Sequence, residues 1–313
     1  MYHIIINPAS KSGKGLKIWK ETVEPALKKE GVSYRCYFSE KEGDVAKLAG
    51  EITSGEASSL PANGRIQMII LGGDGTVNEA LSGMRDTKEV ILGYIPTGSS
   101  NDLARDLKIS KDPLTALHRI LHAGSATPMD LGTVIFPDGE KRRFAVSCGI
   151  GFDAAVCEEA LHSRIKNVLN KLGLGKLTYL GIALRQLFAT KASSCQLILE
   201  NDPPIEISRF LFVTCMIHRF EGGGFMFCPD ADARDGILNL CAVGGLSKLL
   251  ILLALPTAFW GKHYFVKQIR PYRAQCVRIK TTRPLWVHTD GEVKRRTDEF
   301  SVTCEKEALN III

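Results

Sequence analysis

The sequence lacks the features that would set the chain apart from ordinary globular proteins. It contains no internal repeat and no low-complexity segment, and its composition is not that of a disordered or fibrous protein. Its longest apolar run, Leu249 to Leu255, is far shorter than the ~20 residues that span a bilayer. Residues 1–8 have neither the basic start nor the long apolar core of a secretory signal. We therefore expect a cytoplasmic protein whose contact with the membrane is peripheral, at its inner face.

Cysteine pairs of the C-x-x-C type are also missing. The nine cysteines are scattered, odd in number and mostly set in apolar surroundings, which predicts reduced thiols rather than disulfides or a zinc site. A net charge of +6 is compatible with nucleotide phosphates, an anionic membrane surface or nucleic acid, and does not choose among them. A length of 313 residues favours two domains over one.

The most informative stretch is the turn that follows the apolar run Ile66–Leu71. Three glycines, Gly72, Gly73 and Gly75, surround a single carboxylate, Asp74. A continuous apolar run is typical of a buried parallel strand, and glycines let the backbone turn sharply and approach a ligand closely. A carboxylate beside a phosphate requires a cation or hydrogen-bond donors. The turn therefore favours a magnesium-nucleotide site over a plain tight turn.

A helix is predicted directly after this turn. Thr76 and Glu79 fit the S/T-x-x-E capping box, which would start the helix at Thr76. The free N–H groups and the positive dipole end of a helix start are suited to a phosphate.

Two other predicted strands also run into polar loops. The strand His3–Ile6 precedes the loop Asn7–Gly15, which contains Ser12 but does not match the P-loop pattern, so a solvated turn and a phosphate-facing loop both stay open. The strand Val90–Ile95 precedes a turn whose polar and glycine residues could face the same nucleotide or could simply cap a helix. The members of this second turn are Thr97, Gly98, Ser99, Asn101 and Asp102.

The two halves of the chain differ in their periodicity. Strands alternate with helices, including Asp44–Thr53, through about residue 122, which predicts an α/β N-terminal domain with a parallel sheet and ligands at the carboxyl ends of its strands. Short alternating apolar segments, interrupted by helices, follow and predict a larger β-rich domain, an antiparallel sandwich. The predicted strands are Leu131–Phe136, Arg143–Cys148, Cys195–Glu200, Ile205–Ile217, Ile237–Val243, Val277–Thr281, Pro284–Thr289 and Phe300–Cys304, and the helices are Asp153–Leu172, Leu177–Thr190 and Leu246–Gly261.

Five motifs in this order resemble the catalytic domain of the diacylglycerol kinase family, which includes soluble bacterial lipid kinases and is related to sphingosine and ceramide kinases. They are the Asn7-Pro8…Ser12-Gly13 loop, GGDGTVNE, PTGSSNDLAR, GGGFMFCPDADARDGILNL and the late Asp290-Gly291-Glu292. The GGDGT turn alone is shared with NAD kinases and phosphofructokinase-like enzymes. The resemblance implies a nucleotide-binding domain of residues 1–128 plus about 305–313, and a lipid-substrate domain of residues 129–304.

The same resemblance implies roles for individual residues. Asp290 would be the general base that accepts the proton of the lipid hydroxyl, with Glu292 as its neighbour. The ATP and Mg²⁺ site would comprise Asn7, Ser12, Gly72, Gly73, Asp74, Gly75, Thr76, Glu79, Thr97, Gly98, Ser99, Asn101 and Asp102. From spacing alone, Asp290-Gly291 favours a hairpin turn, and its position among the family motifs reverses that interpretation.

A second, structural magnesium site is implied near Asp232, Asp235 and Ile237. Asp130 resembles a family acidic residue linked to that network through water. The segment Asp230–Gly236 departs from the EF-hand calcium pattern because Arg234 occupies its fifth position. A plain polar loop between strands is the alternative.

The segment Leu246–Trp260 is apolar with basic residues near its ends, and it predicts either a buried helix or a membrane-contacting element. The runs Lys141–Arg143 and Lys294–Arg296 would either attract anionic lipid or form a solvated face.

We expect an ATP-dependent lipid kinase that acts on a diacylglycerol-like lipid, with no nucleic acid partner and, by resemblance, a homodimeric form. The alternatives are a related kinase acting on a soluble hydroxyl such as that of NAD, and a nucleotide- or lipid-binding regulator without catalysis.

Overall fold

A computed structural model describes residues 1–55, 64–162, 181–182, 185–187, 189 and 193–313, apart from the side chains of Ser12 and His162. The chain divides into two compact units, one comprising Met1–Leu131 with Glu305–Ile313 and the other comprising Gly132–Cys304. Much of the two predicted helices Asp153–Leu172 and Leu177–Thr190 lies outside the described residues. No helix in the described part of the chain is long and apolar enough to cross a membrane.

The first unit is built on a parallel sheet. Its strands are β1 (Tyr2–Ile6), β2 (Tyr34–Phe38), β3 (Ile66–Gly72) and β4 (Val90–Pro96), in the spatial order β2-β1-β3-β4. Nearly every residue of β1, β3 and β4 is buried, whereas the edge strand β2 is largely exposed. Continuous apolar runs are what inner strands of a parallel sheet require, so the parallel α/β fold predicted for this part of the chain is confirmed.

Helices follow these strands along the chain. They are α1 (Ser10–Gly13), α2 (Gly15–Ile18), a π-helical turn (Trp19–Val23), α3 (Glu24–Lys29), α4 (Asp44–Thr53), α5 (Asp74–Gly83), a 3-10 turn (Thr87–Glu89), α6 (Asp102–Asp106) and α7 (Pro113–His122).

The capping box predicted for Thr76 and Glu79 is wrong. The helix α5 begins two residues earlier, at Asp74, and the Thr76 hydroxyl oxygen accepts a hydrogen bond from the Gly73 N–H at 3.4 Å. The Glu79 carboxylate instead accepts the N–H of Gly43, the residue before α4, at 2.5 Å. The extended backbone of Gly73 lets the helix start directly at the end of the strand.

The second unit is an antiparallel sheet with helices. The chain enters it through β5 (Thr127–Ile135). The strands that follow are β6 (Lys141–Phe144), β7 (Ser147–Gly151), β8 (Cys195–Leu199), β9 (Ile205–Ile207), β10 (Phe210–Met216), β11 (Leu238–Gly244), β12 (Ile269–Ala274), β13 (Cys276–Thr289) and β14 (Glu292–Ile311). The main sheet has the order β12-β11-β10-β7-β13-β14, and all its neighbouring strands are antiparallel. The antiparallel β-rich fold is therefore also confirmed.

Some predicted boundaries in this unit are wrong. The segment Arg143–Cys148 is split between β6 and β7, whereas Val277–Thr281 and Pro284–Thr289 belong to one strand, β13. The strand β12 was not predicted because its sequence, IRPYRA, carries a proline and two arginines, which an edge strand tolerates.

The helices of the second unit are α8 (Phe152–His162), α9 (Lys248–Ala254) and two 3-10 helices, Leu255–Trp260 and His263–Phe265. The predicted helix Leu246–Gly261 therefore changes type at Leu255, next to Pro256, which has no N–H to continue the α-helical pattern. The helix α9 packs against a core cluster that includes Phe212, Met216 and Cys241.

The strand β14 carries the chain from the second unit back to the first. Its residues Asn310 and Ile311 pair in parallel with Ile91 and Leu92 of β4. The chain leaves the first unit after Leu131 and returns to it about 170 positions later, where its last residues complete the sheet.

Candidate functional sites

Two glycine turns of the first unit touch each other at the carboxyl edge of its sheet. A Cβ atom placed on Gly98 would lie 2.6 Å from the Cα of Gly73, and one placed on Gly73 would lie 3.0 Å from the Cα of Gly98. The Thr97 N–H also donates to the Gly72 carbonyl at 2.7 Å. Real Cβ atoms essentially never approach as closely as 2.6 Å, so Gly98 requires glycine, and the space at Gly73 is tight. The turns after β3 and β4 therefore form a single, half-buried stretch of backbone.

The loop after β1 joins the same place. The Asn7 amide donates to the Thr76 hydroxyl oxygen at 3.1 Å, and the Ser10 and Thr97 hydroxyls share a hydrogen bond of 2.7 Å. Ser12 lies in α1, but its side chain is outside the described residues. The three loops predicted to face a nucleotide are therefore together, as expected for the carboxyl ends of adjacent parallel strands.

Asp74 links the two glycine turns through its carboxylate. It accepts the N–H of Asp102 at 2.9 Å and that of Leu103 at 3.4 Å, so it satisfies the first amides of α6 while itself starting α5. Its side chain is half-buried. The carboxylate is held in place by these donors.

Asn101 gives the second turn its shape. Its backbone has φ of +50°, a left-handed conformation that asparagine tolerates better than most residues. Its side chain accepts the Gly98 N–H and donates to the Gly98 carbonyl, both at 2.9 Å. Ser99, in contrast, is exposed at the tip of the turn.

Tyr94 belongs to this site although the sequence did not indicate it. It lies in β4, only 1% exposed, and its hydroxyl donates to the Asn101 side-chain oxygen at 3.2 Å. Burial raises the pKa of Tyr94, and the negative charges of Asp74 and Asp102 raise it further. A tyrosine inside an apolar run is typical of the buried core, so the sequence alone does not indicate its hydrogen bond to Asn101.

The loops provide ligand types that fit a magnesium-bound phosphate. The carboxylates of Asp74 and Asp102 and the hydroxyl of Thr76 are the hard oxygen donors that Mg²⁺ prefers. Asp102 is 4% exposed, and its Oδ1 lies 3.5 Å from Arg105 Nε. The assignment of ATP and Mg²⁺ to these residues stays a prediction.

In the second unit, Asp290 and Gly291 form the two-residue loop between β13 and β14. Both have positive φ, +50° and +84°, as the favoured two-residue hairpin turns require. The Asp290 carboxylate accepts the N–H groups of Ala145 and Val146 at 2.8 Å and of Ser147 at 2.9 Å. Three donors stabilise the ionised carboxylate. The hairpin interpretation is therefore confirmed. A functional role is compatible with it, because the turn also fixes the position of the Asp290 carboxylate.

Glu292 is half-buried at the start of β14, and its charge acts on Arg142. Burial lowers the pKa of Arg142, and the nearby carboxylates of Glu140, Glu292 and Asp290 oppose that shift. Arg142 was predicted only as part of a basic run facing lipid. The structure places its guanidinium where it balances the acidic residues of the hairpin.

Two residues of the second basic run, Lys294–Arg296, also contact neighbouring side chains. Arg295 Nη1 lies 2.7 Å from the Asp138 carboxylate and 3.0 Å from that of Glu140, and the Arg296 guanidinium lies over the Trp286 ring at 4.4 Å. These contacts favour the solvated-face interpretation for Arg295 and Arg296.

The residues predicted for a structural magnesium ion are divided between the units. Asp130, in the first unit, accepts the Glu307 N–H at 2.8 Å. In the second unit, the Asp235 carboxylate pairs with Arg273 and also accepts the Ile237 N–H at 2.9 Å, while Asp232 is exposed beside Arg234. These contacts are those of a polar loop, and a metal role for the four residues stays a prediction.

The segment around α9 has two faces. Leu250, Ile251 and Leu252 pack against the core cluster, as the buried-helix interpretation requires. Five large apolar side chains of this segment nevertheless face solvent, and we call these five together the apolar surface patch. They are Leu249 (68% exposed), Leu253 (63%), Phe259 (43%), Trp260 (69%) and Phe265 (68%).

Glycine turns that converge at the carboxyl edge of a parallel sheet are typical of enzymes that bind nucleotide phosphates. Comparison with protein families supports a relationship to such enzymes. The model described as the diacylglycerol kinase catalytic domain matches residues 1–134, and the model described as the YegS C-terminal NAD kinase beta sandwich-like domain matches residues 146–313. The chain belongs to the diacylglycerol kinase family of lipid kinases.

Individual relatives show the same relationship. The chain is 28% identical over 250 residues to the diacylglycerol kinase of Mycobacterium tuberculosis (strain ATCC 25618 / H37Rv), covering 77% of each chain. A crystal structure of a diacylglycerol kinase from Bacillus anthracis str. Sterne has a TM-score of 0.70 at 21% identity and covers 99% of this chain and 96% of that one. An NAD kinase from Archaeoglobus fulgidus, solved in complex with ATP, has a TM-score of 0.52 at 10% identity over 100% of this chain and 94% of that one. The two solved structures establish the shared fold.

Proposed function

We propose that the protein is an ATP- and Mg²⁺-dependent lipid kinase that transfers the γ-phosphoryl group of ATP to the hydroxyl of a diacylglycerol-like lipid. The observation that carries this proposal is the convergence of three loops in the first unit, where the backbones of Gly73 and Gly98 touch beside the Asp74 carboxylate. Family membership adds the lipid as acceptor.

Each group of residues has a distinct task in this proposal. Phosphoryl transfer depends on positioning and on neutralising the phosphate charge. The backbone of the two glycine turns would approach the phosphates, and Asp74 and Asp102 would hold Mg²⁺, whose charge would neutralise that of the phosphates. Asp290 accepts the proton of the lipid hydroxyl, and Glu292 and Arg142 set the charge around it.

The acceptor is tested with purified protein, labelled ATP, Mg²⁺ and a total lipid extract in mixed micelles, with products identified by mass spectrometry. We expect a phosphorylated lipid, and its mass identifies the acceptor. Labelling of NAD or another water-soluble alcohol, with no lipid product, would favour the soluble-substrate alternative. No turnover on either class, with retained ATP binding, would favour the regulator.

The nucleotide site is tested with the variant Asp74→Asn. Asp112 is a matched control because its carboxylate also accepts a backbone N–H at a helix start, that of Thr115 at 2.8 Å, away from the glycine turns. A role limited to helix capping predicts small, equal effects for Asp74→Asn and Asp112→Asn, since asparagine is also a good cap. We expect Asp74→Asn alone to lose turnover by about a hundredfold, the range in which charged groups at phosphoryl-transfer sites act.

We also propose that the apolar surface patch contacts the membrane that contains the substrate. Its five side chains make up half of the ten large apolar side chains found exposed among the described residues. Lys262 and Lys267, both exposed, lie within the same segment and would favour anionic lipid.

A further inference from the structure

A buried group of polar residues in the second unit plays no part in the proposed chemistry. His288 Nε2 lies 3.2 Å from Asp153 Oδ2 and 3.1 Å from Glu221 Oε1. The His288 side chain is fully buried, and the two carboxylates are 10% and 11% exposed. Burying two carboxylates in one place is unfavourable unless they are paired and hydrogen-bonded. The group therefore calls for a specific explanation.

Such a set of one imidazole and two carboxylates could bind a metal ion, but the other imidazole nitrogen argues against it. The Gly291 N–H donates to His288 Nδ1 at 3.2 Å. Nδ1 is therefore an acceptor without hydrogen, and the ring carries its proton on Nε2. Burial lowers the pKa of His288, and Glu221 and Asp153 raise it by more, but a second proton on Nδ1 would oppose the Gly291 N–H. A histidine that binds a metal through Nε2 has the opposite arrangement, with Nδ1–H donating to an acceptor. The geometry is that of a hydrogen-bond network.

The outer contacts of the two carboxylates fit this description. Glu221 Oε2 accepts the Thr214 hydroxyl at 3.0 Å, and Asp153 Oδ1 accepts the Ala154 N–H at 2.7 Å. Burial raises the pKa of Asp153, and the hydrogen bond to His288 opposes that rise. A Cβ atom on Gly149 would collide with the Asp153 carboxylate, so the strand beneath the group needs glycine at that position.

His288 connects this group to the hairpin turn. It is two residues before Asp290, and its acceptor nitrogen holds the N–H of the other turn residue, Gly291. The Asp290 N–H donates to the Ser147 carbonyl at 2.8 Å on the opposite side of the turn. The turn is thus held from both sides, by β7 and by the imidazole. The imidazole in turn is oriented by Asp153 and Glu221.

We propose that His288 is a positioning residue, which fixes the turn carrying Asp290 by accepting the Gly291 N–H while Asp153 and Glu221 hold its ring in place. This inference rests on the proposed function, in which Asp290 accepts the proton of the lipid hydroxyl. His288 is fully buried, so it does not touch the substrate itself.

Two substitutions test the roles of the two imidazole nitrogens separately. In His288→Asn, the amide oxygen takes the place of Nδ1 and can accept the Gly291 N–H, but the side chain no longer reaches the carboxylates. In His288→Gln, the longer amide takes the place of Nε2 and can donate to the carboxylates, but the acceptor for Gly291 is lost. The pair therefore distinguishes control of the turn from stability of the buried group.

We expect His288→Gln to lower kcat for lipid phosphorylation by about tenfold, the cost of displacing a reacting group, with the KM for ATP unchanged. His288→Asn should keep most of kcat but unfold at a lower temperature. Hydrogen exchange should show the Gly291 amide protected in the wild type and in His288→Asn, and fast-exchanging in His288→Gln.

The opposite order would overturn the proposal. If activity in both variants follows the folded fraction, so that His288→Asn is the worse of the two, the residue is only structural. A stoichiometric metal in the wild-type protein, absent from both variants by elemental analysis, would show a metal site instead. If His288→Gln does not fold, Asp153→Asn takes its place, and we expect faster Gly291 exchange and a kcat that falls by more than the folded fraction does; no change in exchange would refute the link.

Failure of the proposed function gives a different result. If the wild-type protein phosphorylates no lipid, the lipid kinase proposal fails at the first step. If the wild-type protein does phosphorylate a lipid and Asp290 is essential, the two His288 variants test the positioning role alone.

Discussion

At the residue scale, Asp290 is at once a turn residue, an acceptor for three backbone amides and the proposed base. Its proposed contribution is to orient the lipid hydroxyl and to accept the proton late in the transfer, when that proton has become acidic.

Replacing Asp290 by asparagine should lower kcat by about a hundredfold or more, in the range of general acid–base catalysis, while ATP binding stays intact. The amide keeps the side-chain volume and one acceptor oxygen for the β6–β7 amides. Turnover is measured with the lipid identified as substrate and ATP affinity by calorimetry. Normal turnover in this variant would exclude Asp290 from the chemistry.

The cysteines give a second prediction at this scale. Among the described residues Cys36 is exposed, whereas Cys148, Cys195, Cys215, Cys228 and Cys241 are buried. Burial raises the pKa of Cys195 and that of Cys241 to about 12. Since only thiolates react readily, the buried thiols should stay unmodified at neutral pH.

We therefore expect one thiol to react rapidly with a disulfide reagent at pH 8 in the folded protein, and Cys36→Ser to abolish this fast phase. The half-buried Cys157, Cys276 and Cys304 should react slowly, and all nine cysteines should react after denaturation. A fast phase that persists in Cys36→Ser would show that another thiol is accessible.

At the scale of elements, the apolar surface patch tests the proposed membrane contact. Leu249 lies on the exposed face of α9 and Trp260 at the end of the following 3-10 helix. The double variant Leu249→Ser, Trp260→Ser removes exposed side chains and should leave the fold intact. Leu114, 48% exposed on α7 of the first unit, is a matched control outside the patch.

We expect the double variant to bind phosphatidylglycerol-containing vesicles at least about tenfold more weakly in sedimentation assays, because each fully inserted side chain contributes about 1.5–3 kcal/mol. Leu114→Ser should bind as the wild type does. Equal binding by all three proteins would show that the patch does not contact the bilayer.

Elements also show what the sequence could and could not predict. The strands of the first unit and the meeting of its three loops followed from apolar runs that end in glycine and polar residues, because parallel strands bring their carboxyl ends together. The helix start at Asp74 was missed, since an extended glycine can precede a helix without a capping side chain. Tyr94 and His288 were missed because their sequence surroundings do not show their partners: Asn101 lies in the turn after β4, and Asp153 lies in α8, 135 positions from His288.

At the scale of the whole molecule, the first unit depends on residues 305–313. Leu309 and Ile311 are fully buried, and Asn310 and Ile311 pair with β4. The Thr87 hydroxyl also donates to the Ala308 carbonyl, at 2.5 Å. The sheet that carries the nucleotide loops is thus completed by a segment distant in sequence.

Ile311→Ala should therefore destabilise the protein by about 2–5 kcal/mol, the cost of emptying a core position. Ile313→Ala is the control, since that side chain is 40% exposed and should change stability by less than about 0.5 kcal/mol. Urea unfolding of both variants measures the difference. Similar stability for the two would mean that residues 305–313 are not part of this core.

This chain path has a consequence during synthesis on the ribosome. The strand β4 emerges early, but its partner in β14 is translated only after the whole of the second unit. Until then β4 is an open sheet edge, the kind of surface that pairs with other chains. The nascent protein must therefore pass through a period in which the sheet of its first unit is incomplete, and shielding of that edge, by a chaperone or by rapid translation, would decide how much folded protein a cell obtains.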